Sequence, residues 1–314
     1  MTSVPSKFAS MSQAMIEIEG LVKRFDAITA VAGIGCTAKK GKVLGVRRPT
    51  GAGKSTTMKM IMGYLVPTAG TVRLCGFDVS RDPISARTQA GYLPEGAPAY
   101  GDMTPRQFLK FIAHVRGFSG KERQTAISAA VARTQLEHVL DQPIETLSKG
   151  FKRRVGLAQA ILHNPPVLIM DEPTDGLDPN QKFAVRRLIA NMAEEKAIII
   201  STHILEEVEA VCSRAIIIDQ GRVVADGTPE DLAARSKFRN AVTLSVGPQH
   251  AKQVREALKT LPNVKEIRER SSINEAVTFT LLPKEGVSQL ESLTALLAEK
   301  DWDVLRMTIE AGRL

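Results

Sequence analysis

Three short apolar runs stand out along the chain: Lys42 to Val46 (KVLGV), Val167 to Met170 (VLIM) and Ala197 to Thr202 (AIIIST). A strand with one face in water alternates apolar and polar residues. Runs without that alternation predict strands covered on both faces, as in a parallel sheet flanked by helices. Each run is followed at once by unusual polar residues. In an open α/β sheet ligands bind outside the carboxyl ends of the strands, so these runs predict one shared edge where polar chemistry collects.

Between the first two runs, apolar residues recur at helical spacing over Pro105 to Val115 and Lys121 to Leu136, which predicts a helical subdomain at about residues 96–160. Further on, Gln220-Gly221 predicts a hairpin turn between IIID and RVVAD, and Thr228-Pro229-Glu230 a helix start. From about Asn240 the pattern changes. AVTLSV, VKEIRER, AVTFTLL and DVLRMTI alternate like strands, while His250 to Leu261 and Val287 to Ala298 are helical in spacing. The order βαββαβ predicts a small ferredoxin-like α+β domain, a fold that hosts many unrelated functions and fixes no chemistry by itself. The division expected is a polar tail over 1–14, an α/β domain over 15–238 and an α+β accessory domain over 239–314.

Composition narrows the classes. With 314 residues, 43% of them hydrophobic and 24% charged, two ordinary folded domains are expected. The longest stretch without Asp, Glu, Lys or Arg, Val155 to Met170, is short and interrupted by His163, Asn164, Pro165 and Pro166. No transmembrane segment or secretory signal is read, and a cytoplasmic protein is expected, with Met11 or Met15 as alternative starts. Cys36, Cys75 and Cys212 are widely spaced with no CxxC pair, so buried free thiols are expected rather than disulfides or a zinc site. The net charge of +8 belongs to residues 1–240, because residues 241–314 carry ten basic and ten acidic residues. Those basic residues are dispersed, and three Tyr and one Trp offer few stacking platforms, so no nucleic-acid partner is expected.

The first run leads into Thr50, Gly51, Ala52, Gly53, Lys54, Ser55 and Thr56, followed by the helical pattern MKMIMGYL. Strand, glycine loop, Lys-Ser-Thr and helix is the context of a P-loop. Glycines free the backbone N–H groups to close round phosphate, Lys54 reaches the β and γ phosphates, and Ser55 is a magnesium ligand. One position departs: the pattern places glycine five residues before Gly53, and Arg48 stands there. If that backbone needs φ > 0, arginine costs on the order of 1 to 2 kcal/mol and nucleotide binding is weaker.

The second run ends in LIMDEP, with two carboxylates at the end of a buried strand. Such burial calls for a partner. Magnesium held by Asp171 provides one, and Glu172 is then placed as the general base that polarises water. His203 follows the third run, where contact with the γ phosphate and a purely structural role are both open.

With these motifs in hand, residues 16 to about 235 resemble the nucleotide-binding subunit of an ABC transporter. The family's motifs stand in order: an aromatic at Phe25, the P-loop, the lid loop GYLPE with Glu95, the signature LSKGF at Leu147 to Phe151, LIMDEP, GLDP at Gly176 to Pro179, and His203. The resemblance implies a P-loop NTPase fold of ABC type and ATP and Mg²⁺ as cofactors. It also implies a homodimer that sandwiches two ATP, and a separate integral-membrane permease that holds the protein at the inner face of the membrane. By the same resemblance Phe25 stacks on adenine, Ser148 and Gly150 bind the γ phosphate across the dimer, Asp178 couples the two sites, and Glu95 helps hold Mg²⁺ or water. Glu95 replaces the family's usual glutamine, and Lys149 and Phe151 depart from its LSGGQ signature. The expected function is ATP hydrolysis driving export. Two alternatives stay open: a regulatory pseudo-ATPase, prompted by Arg48, and a non-transport ABC protein acting on DNA or the ribosome.

Overall fold

The computed structural model describes residues 14–47, 54–97, 99–236, 238–271, 276–284, 287–300 and 302–310. It divides into two compact units, Met1–Thr228 and Pro229–Leu314.

The first unit begins with β1 (Ala14–Phe25), β2 (Ile28–Lys39), β3 (Lys42–Arg47) and α1 (Lys54–Ile61), continuing through β4 (Ala69–Leu74), β5 (Phe77–Asp78), α2 (Pro83–Thr88) and β6 (Ala90–Leu93). Then come α3 (Pro105–Val115), α4 (Gly120–Thr134), α5 (Lys149–Ile161), β7 (Val167–Asp171), α6 (Pro179–Ala193), β8 (Ala197–Thr202), α7 (Leu205–Val211), β9 (Arg214–Asp219) and β10 (Arg222–Gly227). The three apolar runs are β3, β7 and β8. They pair in parallel inside a six-stranded sheet of order β10-β9-β3-β8-β7-β6. Every residue of β7 and β8 is buried, as strands covered on both faces require.

A second sheet, of order β2-β1-β4-β5, is antiparallel. Period-2 reading did not find it. The pairing of β1 with β2 shifts register between Ile18 and Leu21, around Gly20 at φ 56°, so the apolar positions change phase within the strand. Met58, Met60, Ile61 and Met62, in and just after α1, are all buried in the core between the two sheets. These side chains seat α1 in the core, with Lys59 exposed on its outer side, and so anchor the segment that opens at Lys54. Near the other end of the large sheet, a Cβ on Gly91 of β6 would collide with the Ala160 carbonyl oxygen. Only glycine therefore lets α5 lie this close to the sheet.

The hairpin between β9 and β10 turns at Gln220 and Gly221, both at positive φ. Cys36 and Cys212 are buried free thiols, and burial pushes them up to about 11 and about 12. Cys75 is only half-buried, because it lies in the turn between β4 and β5, which corrects the expectation of three buried thiols.

In the second unit, α8 (Pro229–Ala234) precedes β11 (Val242–Val246), α9 (Ala251–Lys259), β12 (Val264–Ser271), β13 (Val277–Pro283), α10 (Leu290–Glu299) and β14 (Val304–Ile309). The strands form an antiparallel sheet of order β12-β13-β11-β14. Val242, Leu244, Val246, Phe279 and Leu281 pack with Val254, Leu258 and Leu293 of the two helices. The intervening positions pair as hydroxyls, Thr243 with Thr280 at 3.3 Å and Ser245 with Thr278 at 2.9 Å. One apolar and one polar face is what an antiparallel sheet covered on one side shows. Helix α10 starts at Leu290, three residues later than the periodicity suggested. Its first turn is preceded by Gln289, which is 1% exposed and donates from Nε2 to Asn263 O at 2.7 Å.

Candidate active site

Sheet register sets the site. Val46 of β3 pairs with Ser201 of β8, and Ser201 pairs with Asp171 of β7, so the carboxyl ends of three parallel strands lie in one row. Asp171 and Glu172 close β7, and His203 follows β8 directly. Arg48, Thr50, Gly51, Ala52 and Gly53 lie outside the described residues. Lys54 opens α1, with Ser55 and Thr56 after it, both half-buried.

The Ser55 hydroxyl donates to Glu95 Oε2 at 3.2 Å, which joins the first turn of α1 to the loop after β6. Asp171 is 1% exposed, and its Oδ1 accepts from the Ser201 hydroxyl. Glu172 follows with φ 50°, a left-handed conformation that costs a glutamate about 1 kcal/mol. Its backbone N–H donates to Ser201 O at 3.1 Å, and Asp175 N–H donates to its carbonyl at 3.2 Å, so bonds on both sides hold the strained residue. The Glu172 carboxylate lies 2.9 Å from His203 Nδ1. An ionised carboxylate only accepts, so Nδ1 is the protonated nitrogen and Nε2 stays available to another group.

Two further residues support this corner. Arg153 of α5 is 6% exposed and donates to three main-chain carbonyls: Asp171 at 2.9 Å, Pro173 at 3.3 Å and Pro94 at 3.3 Å. It thus ties the signature helix to the β7 end and to the residue before Glu95. Burial pulls its pKa down, while the charges of Asp175, Asp171, Glu172 and Glu95 oppose that. Glu207 of α7 is buried between Thr174 and Thr202, accepting from both hydroxyls, the latter at 2.6 Å. Desolvation raises its pKa, and the Thr202 bond opposes the shift. Glu207 fastens the loop after Glu172 to the strand end before His203.

Neither residue was singled out in the sequence, although one signal was there for Arg153. It falls on the buried face of α5, three residues after Gly150, four before Leu157 and seven before Ala160. A charge on that stripe needs a buried partner set.

The signature residues gather elsewhere in this unit. Ser148 caps α5, accepting from Phe151 N–H at 3.4 Å, and Gly150 is buried against the Gln181 side chain of α6. Asp178 caps α6 by accepting from Gln181 N–H at 2.9 Å. Ser148, Gly150 and Asp178 therefore form one group through Gln181. Among the described residues no hydrogen bond joins them to Ser55, Glu95, Asp171, Glu172 or His203. Phe25 ends β1, 43% exposed as a residue, with Lys23 Nζ 5.1 Å from its ring centroid.

The donor set fits magnesium. Ser55, Glu95 and Asp171 offer hard oxygen ligands, and no three His, Cys, Asp or Glu side chains among the described residues converge into a protein-only cage. Magnesium characteristically takes one or two carboxylates and fills its remaining positions with phosphate and water.

The ABC transporter family model matches residues 31–175. A Nod factor export ATP-binding protein I from Paraburkholderia xenovorans (strain LB400) is 37% identical over 225 residues, covering 71% of this chain and 74% of that protein. A probable multidrug ABC transporter ATP-binding protein, YbhF of Escherichia coli (strain K12), is 35% identical over 71% of this chain and 39% of its own length. Among solved structures, an ATP-binding subunit of an ABC transporter superposes with a TM-score of 0.64 at 31% identity, covering 69% of this chain and 91% of that one. At this identity and coverage the chain belongs to the ABC transporter family, as one of its ATP-binding proteins.

Proposed function

We propose that this protein hydrolyses Mg-ATP as the motor subunit of an exporter, working as a homodimer on a separate integral-membrane permease. The observation that carries the reading is the meeting of Ser55 with Glu95, and of Glu172 with His203, at the ends of adjoining parallel strands.

Lys54 and the residues before it hold the β and γ phosphates, and Ser55, Asp171 and Glu95 hold the metal. Bound there, Mg²⁺ neutralises charge on the phosphate oxygens. Glu172 accepts a proton as the oxygen of water bonds to the γ phosphorus and the bond to the ADP oxygen breaks. His203 orients that carboxylate through Nδ1 and turns Nε2 to the phosphate. Ser148 and Gly150 complete the partner protomer's site from the N-terminus of α5, where backbone N–H groups favour an anion, and Asp178 links the two sites. Phe25 stacks on adenine.

Among the described residues no helix is long and apolar enough to cross a membrane, in keeping with a peripheral position on the cytoplasmic face through the permease. The permease contact falls on the helical subdomain at about 96–160. Tyr100 and Phe111, both exposed, pack edge to face there with centroids 5.8 Å apart. Residues 239–314 act as an accessory domain. The exporter assignment draws on the names of the Nod factor and multidrug relatives.

Sedimentation of the Glu172→Gln variant with and without Mg-ATP tests the dimer. The expected result is a monomer that becomes a dimer only with nucleotide, and that Ser148→Arg prevents from forming. A monomer under all conditions would refute the sandwich.

A further inference from the structure

The second unit carries an uneven charge distribution that the ATPase reading does not use. Residues 229–314 contain thirteen Lys and Arg against twelve Asp and Glu, a near balance. Yet one recess of about 540 Å³ is lined by Arg235, Arg239, Lys265 and Arg268, with Glu266 the sole acid on its wall among the described residues.

The arrangement is built rather than loose. Arg235 and Arg239 come from the turns between α8 and β11. In those turns Ser236 N–H donates to Ala233 O at 3.1 Å and Arg239 N–H to Ser236 O at 3.1 Å. Lys265 and Arg268 come from β12. Arg268 is held twice, by Nε donating to Glu266 Oε1 at 2.7 Å and by its guanidinium lying 5.4 Å from the Phe238 ring centroid. That pair engages the one acid. Arg235, Arg239 and Lys265 have no ion-pair partner among the described residues. Buried Leu282 and Pro283 supply an apolar wall.

Gathered like charges repel, and nothing in the packing of this unit requires them. A phosphate group offsets them, because guanidinium forks match its oxygens in pairs and an ammonium adds a point charge. The volume lies within the range of small-ligand sites. We infer that this recess binds a phosphate-bearing anion of two or more negative charges, either a free small molecule or the headgroup of an anionic lipid.

Two assays on the full-length protein separate the sources. Equilibrium dialysis of labelled pyrophosphate, on a Lys54→Ala background that disables the nucleotide site, reads the free form. Co-sedimentation with phosphatidylcholine vesicles, with and without cardiolipin, whose headgroup carries two phosphates, reads the headgroup. One probe is expected to bind, and Arg239→Glu with Lys265→Glu should weaken it about tenfold or more. The same charge change outside the recess, Lys252→Glu with Arg306→Glu, should cost less than about twofold. Loss of pyrophosphate binding assigns the free form, and loss of vesicle binding assigns the headgroup. Binding of neither probe, or equal loss in both variants, overturns the inference. All four substituted residues are exposed, and unchanged circular dichroism checks the fold. If the reversal unfolds the unit, Arg239→Gln with Lys265→Gln gives the same reading.

Discussion

Arg153 Nη2 donates to the main-chain carbonyl of Asp171 at 2.9 Å, from the same helix that Ser148 caps. One guanidinium therefore holds the backbone at the end of β7, the residue after Glu172, and the residue before Glu95. The helix that Ser148 caps is thereby joined to the main chain on either side of Glu172.

Replacing Arg153 by Gln takes a donor from two buried carbonyls, those of Asp171 and Pro173, and from the half-buried Pro94 carbonyl, which still accepts from Ala97 N–H, at an expected stability loss of about 2 to 3 kcal/mol. Turnover should fall while the KM for ATP changes little, as expected of a side chain that holds the main chain on either side of Glu172. Arg153→Lys should restore part of both. Urea denaturation and steady-state kinetics on the three proteins check this, and a rise in KM with unchanged kcat would assign Arg153 to nucleotide binding instead.

Glu95 stands where the family usually has glutamine, and its carboxylate accepts from Ser55 at 3.2 Å. An extra charged oxygen ligand should tighten metal binding. Glu95→Gln is expected to raise the half-saturating Mg²⁺ for turnover about tenfold, equivalent to about 1.4 kcal/mol. A magnesium titration at fixed ATP shows it, and an unchanged midpoint would leave Glu95 as a simple partner of Ser55.

The parallel strands were legible because β7 and β8 are buried on both faces, so their sequences are apolar runs that end abruptly in polar residues. The same abruptness marked Asp171, Glu172 and His203. The βαββαβ order of the second unit was legible from alternation in its strands and helical spacing between them. The β1–β2 hairpin was not, since its register shift near Gly20 breaks the period. The supports Arg153, Ser201 and Glu207 were also missed, because each depends on a contact distant in the chain: Arg153 with Asp171, Ser201 with Asp171, and Glu207 with Thr174, at separations of 18, 30 and 33 residues. Local spacing does not encode such contacts, apart from the position of Arg153 on a buried stripe.

His163 gives the first unit a pH dependence. Its Nε2 donates to Ala90 O at 3.2 Å, and Nδ1 is buried without a hydrogen-bond partner. Burial, together with the positive charges of Arg116 and Lys196, lowers its pKa to about 4. The unfolded chain takes up that proton near pH 6.5 and the folded one only near 4, so stability is lost as pH falls through this window. At pH 5 the loss from this residue is about 1 to 2 kcal/mol relative to neutral pH, allowing for partial exposure of the ring. His163→Gln keeps a donor for Ala90 O and should remove that share of the acid sensitivity. Denaturant midpoints at pH 7 and pH 5 for both proteins make the comparison, and identical acid losses would contradict it.

The most direct test is steady-state Mg-ATP turnover by the purified protein and by Glu172→Gln, with nucleotide binding measured alongside. Removing a general base should lower kcat by about 10² or more while ATP still binds. Wild-type turnover by Glu172→Gln, or an absence of turnover in the unmodified protein, would contradict the assignment of this sheet edge as a hydrolytic site.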